Sequence, residues 1–124
     1  MGDQTVKYEW LDEYCLAQSG ATKDYKLEWE AVRYMVGGKM FAMCAGDKYK
    51  KAIITLKLDP VFGDLLRQRY KDIVPGYYMN KLHWNSLYLD GKVPDEVLKT
   101  MVQESHRLIF GALSKKLQKE IMEV

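Results

Sequence analysis

Two cysteines, two histidines and three prolines are all that 124 residues contain of these types, and each shortage closes off a class of protein. Cys15 and Cys44 stand far apart in apolar surroundings without a C-x-x-C spacing, which predicts buried free thiols and not a disulfide or a metal cluster. His83 and His106 are the whole imidazole supply, and no H-E-x-x-H occurs, so a zinc site is not expected. The glycines include neither G-x-x-x-x-G-K-[ST] nor G-x-G-x-x-G, so no phosphate loop is present; Gly37-Gly38 reads as a hairpin turn. Ser105 and His106 are neighbours on a predicted helix and point roughly 100° apart, which rules them out as a nucleophile and its base. Neither a cofactor nor a catalytic residue is expected, and a non-enzymatic protein is the reading that remains.

An excess of charge of one sign is also missing. The net charge is +2, too small to argue for nucleic acid except through a local cluster. Hydrophobic residues make up 48% and charged residues 29%, the balance of a soluble globular chain and not of a disordered or membrane-spanning one. Met1 to Thr5 leads into a charged amphipathic segment in place of an apolar signal core, so a cytoplasmic protein is expected. With no repeat, low-complexity tract or long linker, residues 1–124 are read as one domain.

What is present is a sequence of elements with distinct periods. Val6, Trp10, Leu11, Tyr14 and Cys15 recur at helical spacing between a Thr5 cap and a Gly20 stop. The mixed-charge stretch from Ala21 to Glu30 reads as a connection with at most a short extended piece. Ala31 to Val36 and Lys39 to Ala45 flank Gly37-Gly38 as a hairpin, and after the Gly46-Asp47 turn Lys50 to Leu58 reads as a third strand. Asp59-Pro60 starts a helix to about Tyr70, with Phe62, Leu65 and Leu66 facing inward. Val74-Pro75-Gly76-Tyr77 reads as a turn and Leu82 to Leu89 as a strand, closed by Asp90-Gly91. Pro94, Asp95 and Glu96 open a long amphipathic helix, and Ser114 caps a final short one with Leu117 and Ile121 inward. The order implies an α+β fold with a single antiparallel β-sheet of about five strands packed by helices, its other face partly exposed.

The stretch from Tyr70 to Gly91 is the hardest to place in a plain core or a plain surface, because it interleaves aromatics with Asn80, Lys81, His83 and Asn85. Lys81 on a phosphate, Asn80 or Asn85 on a base edge and Trp84 stacking would make a recognition surface. In the alternative reading Trp84 is core against the helix from Pro94, Asn80 caps a turn and His83 satisfies a buried carbonyl. Lys39, Lys48, Lys50 and Lys51 on the hairpins, with Arg67, Arg69 and Lys71 at the end of the second helix, can join that stretch in one basic face or serve as ordinary solvated cations.

Six short motifs in order carry a resemblance to a known family: Val36 to Ala42, Leu56-Lys57-Leu58-Asp59-Pro60, Val74-Pro75-Gly76-Tyr77, Met79-Asn80-Lys81, His83-Trp84-Asn85, and Val93-Pro94-Asp95-Glu96 followed by Ser105. Together they resemble the MmcQ/YjbR family of small bacterial proteins over nearly the whole chain. Tyr78 and His106 depart from the pattern, which often has His before Met-Asn-Lys and an aromatic residue after the Ser. The resemblance implies a fold similar to secretion chaperones and, because the family's hairpins look like a double wing, DNA as the partner. Lys39, Lys50, Lys51, Arg67, Lys71, Asn80, Lys81, His83 and Trp84 are the candidate contacts. The rival partner is a peptide or protein on the open sheet face or an edge strand.

Overall fold

The computed structural model describes residues 7–76 and 79–123. Its centre is one antiparallel sheet of six strands: β1 (Ala21–Lys26), β2 (Ala31–Val36), β3 (Lys39–Gly46), β4 (Ala52–Lys57), β5 (Ile73–Pro75) and β6 (Trp84–Tyr88), in the spatial order β1-β2-β3-β4-β6-β5. The helices are α1 (Leu11–Leu16), α2 (Pro60–Arg69), α3 (Asp95–Gly111) and α4 (Lys115–Met122). The α+β class and the single antiparallel sheet hold as read from the sequence. Thr5 lies outside the described residues, and α1 is shorter than the predicted helix, since a turn occupies residues 7–10.

Two strands depart from expectation. Ala21 to Lys26 forms the edge strand β1 despite its mixed charges, because β2 gives its backbone a complete ladder from Ala21↔Val36 to Lys26↔Ala31. Exposed side chains on an edge strand leave no hydrophobic alternation to read. Val74 and Pro75, expected to begin a turn, belong with Ile73 to a strand that pairs with β6, and Pro75 is tolerated there because β5 is the other edge.

The core lies between the sheet and the helices. Leu98, Met101, Val102, Ser105 and Ile109 form the buried stripe of α3, packed with Ile54, Leu56, Leu58 and Leu87. A bulge in β3 supplies the central ring: Tyr34 faces Ala42 and Met35 faces Met40, so Phe41 is the extra residue and turns into the same core as Ala42. Ser105 completes this joint. Its hydroxyl donates to the Phe41 carbonyl (2.5 Å) and accepts from the Lys57 N–H (2.8 Å), bridging β3 and β4 just past the last ladder pair, Ala42↔Leu56. Asp59 caps α2 by accepting from Val61 and Phe62 as expected, but Leu65 is exposed and only Leu66 is fully buried.

The opposite sheet face is more covered than expected at its centre. Met43, Ile53, Thr55 and Ser86 are buried there, and Thr55 and Ser86 hydroxyls bond each other at 2.8 Å. The 3₁₀ turn Leu27–Trp29 folds over this face, where Trp29, Glu28, Met43, Ala45 and Met79 line a cavity of about 410 Å³.

Candidate functional site

The predicted contacts divide into two groups at opposite ends of the sheet. Lys39 starts β3 and Lys50 and Lys51 lie just beyond its end, so an eight-residue strand separates them, about 25 Å. Lys71 belongs with Lys50 and Lys51. The N–H of Tyr88 reaches the Asp72 carbonyl and that of Leu89 reaches the Ala52 carbonyl, both at 3.0 Å, which brings the residues after α2 to the start of β4. Asn80, Lys81, His83 and Trp84 lie toward the other end, where Leu58 N–H donates to the His83 carbonyl at 2.8 Å. One continuous basic face through all nine residues is therefore not formed.

Much of the Asn80 to Asn85 stretch serves the chain itself. Asn80 Oδ1 accepts from Leu82 N–H (2.8 Å) and its carbonyl accepts from Trp84 N–H (2.9 Å), which is the capping role of the alternative reading. Lys81 Nζ donates to the Gly76 carbonyl at 2.9 Å. His83 uses its backbone carbonyl, which accepts from Leu58 N–H and, at 3.2 Å, from Asn85 Nδ2. Trp84 is half-buried opposite Lys57, packed against the hydrophobic core as expected of a structural residue and lying beside Gly76. A Cβ on Gly76 would stand 2.9 Å from the Trp84 Cβ, which requires glycine there.

Arg67 is a correction. Expected as an exposed cation at a helix end, it is half-buried, donates to the Oδ1 of fully buried Asn85 and lies 3.7 Å from Asp64. A buried amide needs such partners, and Arg67 supplies one.

The turn from Asp47 to Lys51 is built differently. Asp47 is buried and its Oδ1 accepts from the N–H groups of Tyr49 (2.8 Å) and Lys51 (3.0 Å), while Tyr88 donates its hydroxyl to Oδ2 at 2.9 Å. The Lys51 N–H first, then the Tyr88 hydroxyl and the Tyr49 N–H, hold its carboxyl below the usual carboxylate range. These bonds keep Lys50 at φ 66, a left-handed conformation unusual for a residue with a Cβ. Lys48, Tyr49, Lys50 and Lys51 are all exposed on the resulting tip, Tyr49 at 73%, with Lys48 Nζ 5.3 Å from its ring centre.

Comparison with known proteins fits this architecture. The YjbR family model matches residues 16–108. The chain belongs to the YjbR family. It is 32% identical over 114 residues to the uncharacterized protein YjbR of Escherichia coli K12, covering 92% of this chain and 96% of that one. A second relative, the uncharacterized protein YbdF of Escherichia coli O157:H7, is 35% identical over 88 residues, 71% of each chain. Among solved structures, the DR2400 protein of Deinococcus radiodurans, a DUF419 domain, superposes with a TM-score of 0.82 at 29% identity, covering 97% of this chain and 92% of that one.

In this YjbR-family chain the motifs that carry the resemblance are largely joints of the fold. Gly37 and Gly38 have φ 57 and 79, Asn85 anchors α2 to β6, and Ser105 anchors α3 to β3 and β4. Two exposed aromatics escaped the reading as site residues. Tyr49 sits within a run of three lysines between two strands, and that run was its signal. Trp29, 52% exposed with Lys26 and Arg33 cations 5.4 and 5.7 Å from its ring, had only its presence in a charged stretch to mark it. Cys15 and Cys44 are free thiols. Burial pushes both up, Cys44 to about 12, so neither is a reactive thiolate near neutral pH. Among the described residues no three His, Cys, Asp or Glu side chains converge to hold a metal, and no helix is long and apolar enough to cross a membrane.

Proposed function

We propose that the protein binds nucleic acid, without catalysing a reaction, through the tip of the β3–β4 hairpin. The observation that carries this reading is the Lys48-Tyr49-Lys50-Lys51 tip, whose exposed aromatic and three cations are presented by a buried Asp47 cap. Holding Lys50 in a left-handed conformation costs free energy of order 1–3 kcal/mol, and an exposed tyrosine adds nothing to the core. Both features suit a rigid tip that meets phosphates with lysines and a base or sugar with a ring. Exposed Lys71, at the same end of the sheet, extends the charge. Lys39, at the far end of β3, and Asn80 and Lys81, which bond Leu82 N–H and the Gly76 carbonyl, are not part of the proposed contact.

The rival, a peptide or protein partner, has one observation in its favour: β1 is an exposed edge strand with an apolar cavity nearby on the same sheet. Fluorescence anisotropy with a labelled oligonucleotide at two salt concentrations separates the readings. Nucleic-acid binding through four cations weakens steeply with salt and is lost in the variant Lys50→Glu with Lys51→Glu, whereas absence of binding at low salt leaves the edge strand as the better candidate.

A further inference from the structure

Two adjacent turns at one end of the sheet each present an exposed aromatic ring under a cation. The register sets Val32 opposite Cys44, so the turn that carries Trp29, between β1 and β2, ends beside the β3–β4 tip that carries Tyr49. Beside the first of these turns opens the cavity of about 410 Å³, within the ~300–1,000 Å³ common for small-molecule sites. Met43, Ala45, Trp29 and Met79 give it an apolar lining, and Glu28 is the one charged residue among those that line it. Ala45 is two residues before Asp47, about 7 Å along the strand from the lysine tip.

We infer that this cavity takes an unpaired nucleobase, so that the nucleic acid bound is single-stranded and prefers bases with amino donors. The inference rests on the nucleic-acid reading of the lysine tip and names its substrate class. Charge complementarity favours this occupant over a purely apolar one. Lys48, Lys50 and Lys51 on one side and Lys26 on the other can neutralise a phosphodiester running past the mouth, while Met43, Ala45, Met79 and the Trp29 ring offer surface to one planar base. Arg33 is already committed to Asp24, with Nη2 to Oδ2 at 2.6 Å, and so steadies Trp29 without adding free charge. The Glu28 carboxylate accepts only, so it matches the N4 amino group of cytosine and opposes the carbonyl oxygens of thymine. A duplex cannot deliver such a base without unpairing it.

Anisotropy titrations of the full chain against a labelled oligo(dC), an oligo(dT) and a duplex of the same length test this at low salt. Expected is oligo(dC) binding about tenfold tighter than oligo(dT) and tighter still than the duplex, as one stacked base and one charge-assisted hydrogen bond to its amino group imply. Trp29→Ala removes the single-strand preference and leaves the duplex titration unchanged, and Glu28→Gln brings oligo(dC) and oligo(dT) together. Both side chains are exposed, so the variants fold. A duplex bound as well as either single strand, or a preference that survives Trp29→Ala, overturns the cavity assignment while the lysine tip stands. No binding of any of the three overturns both.

Discussion

The Tyr88 hydroxyl donates to Asp47 Oδ2 at 2.9 Å, tying the end of β6 to the turn that leads from β3 into its neighbour β4. Asp47 in turn holds the Tyr49 and Lys51 N–H groups, so the shape of the lysine tip depends on a residue that touches no ligand.

Asp47→Ala is therefore expected to loosen the tip, lowering both the melting temperature and the affinity for an oligonucleotide, the latter by about tenfold for the loss of one positioned contact. Tyr88→Phe keeps the ring and the two backbone bonds and loses less of each. Thermal melts and anisotropy on the two variants check the order.

Ser105→Ala removes the hydroxyl that serves the Phe41 carbonyl and the Lys57 N–H. Ser105 is fully buried, so the groups left behind have no ready access to water. A destabilisation of about 1–3 kcal/mol is expected in urea unfolding, with an unchanged slope. His106, one residue on, bonds the Ser19 carbonyl at 2.8 Å and stacks on Phe110, and is expected to tolerate Gln better than Ser105 tolerates Ala.

Gly63→Ala sets two effects against each other. Alanine is favoured over glycine inside a helix by about 1 kcal/mol, but the new Cβ would stand 3.0 Å from the Asn85 amide. Asn85 is fully buried and held by Arg67 and the His83 carbonyl, so it cannot move aside cheaply. Net destabilisation is expected, and a raised melting temperature would show that the amide relaxes.

The secondary structure was legible wherever residues had a strong period or a defined cap: Gly37-Gly38, Asp59-Pro60, Ser114 and, on α3, Leu98, Met101, Val102 and Ile109 act as read, while Ala112 of the same predicted stripe is exposed at the helix end. β1 was not, because its side chains are exposed and its pairing comes from β2 alone. β5 was hidden by Pro75, which reads as a turn until its edge position is known. The site was less legible than the fold. Lysines announce themselves in sequence, but nothing local shows that Arg67 turns inward to a buried amide, or that Trp29 and Tyr49 come together through the register of intervening strands.

Acid should weaken the fold through carboxylates held below their usual range. Lys23 and then Tyr34 bond Asp12, Arg33 bonds Asp24, and the turn N–H groups bond Asp47. A lowered folded pKa means that the stabilisation is present above the unfolded value, about 3.9, and is lost as pH falls below it through the folded value. Melting temperature is expected to be flat from pH 7 to about 5 and to drop beneath 4, and Asp12→Asn is expected to flatten that drop.

Amide chemical-shift mapping during titration with a short single strand tests whether nucleic acid binds at the hairpin tip. Shifts are expected at the amides of residues 47–51, with a second set at Glu28, Trp29, Ala45 and Met79 around the cavity. Shifts confined to Lys39 and to Lys81 through Trp84, or no shifts at low salt, would contradict it.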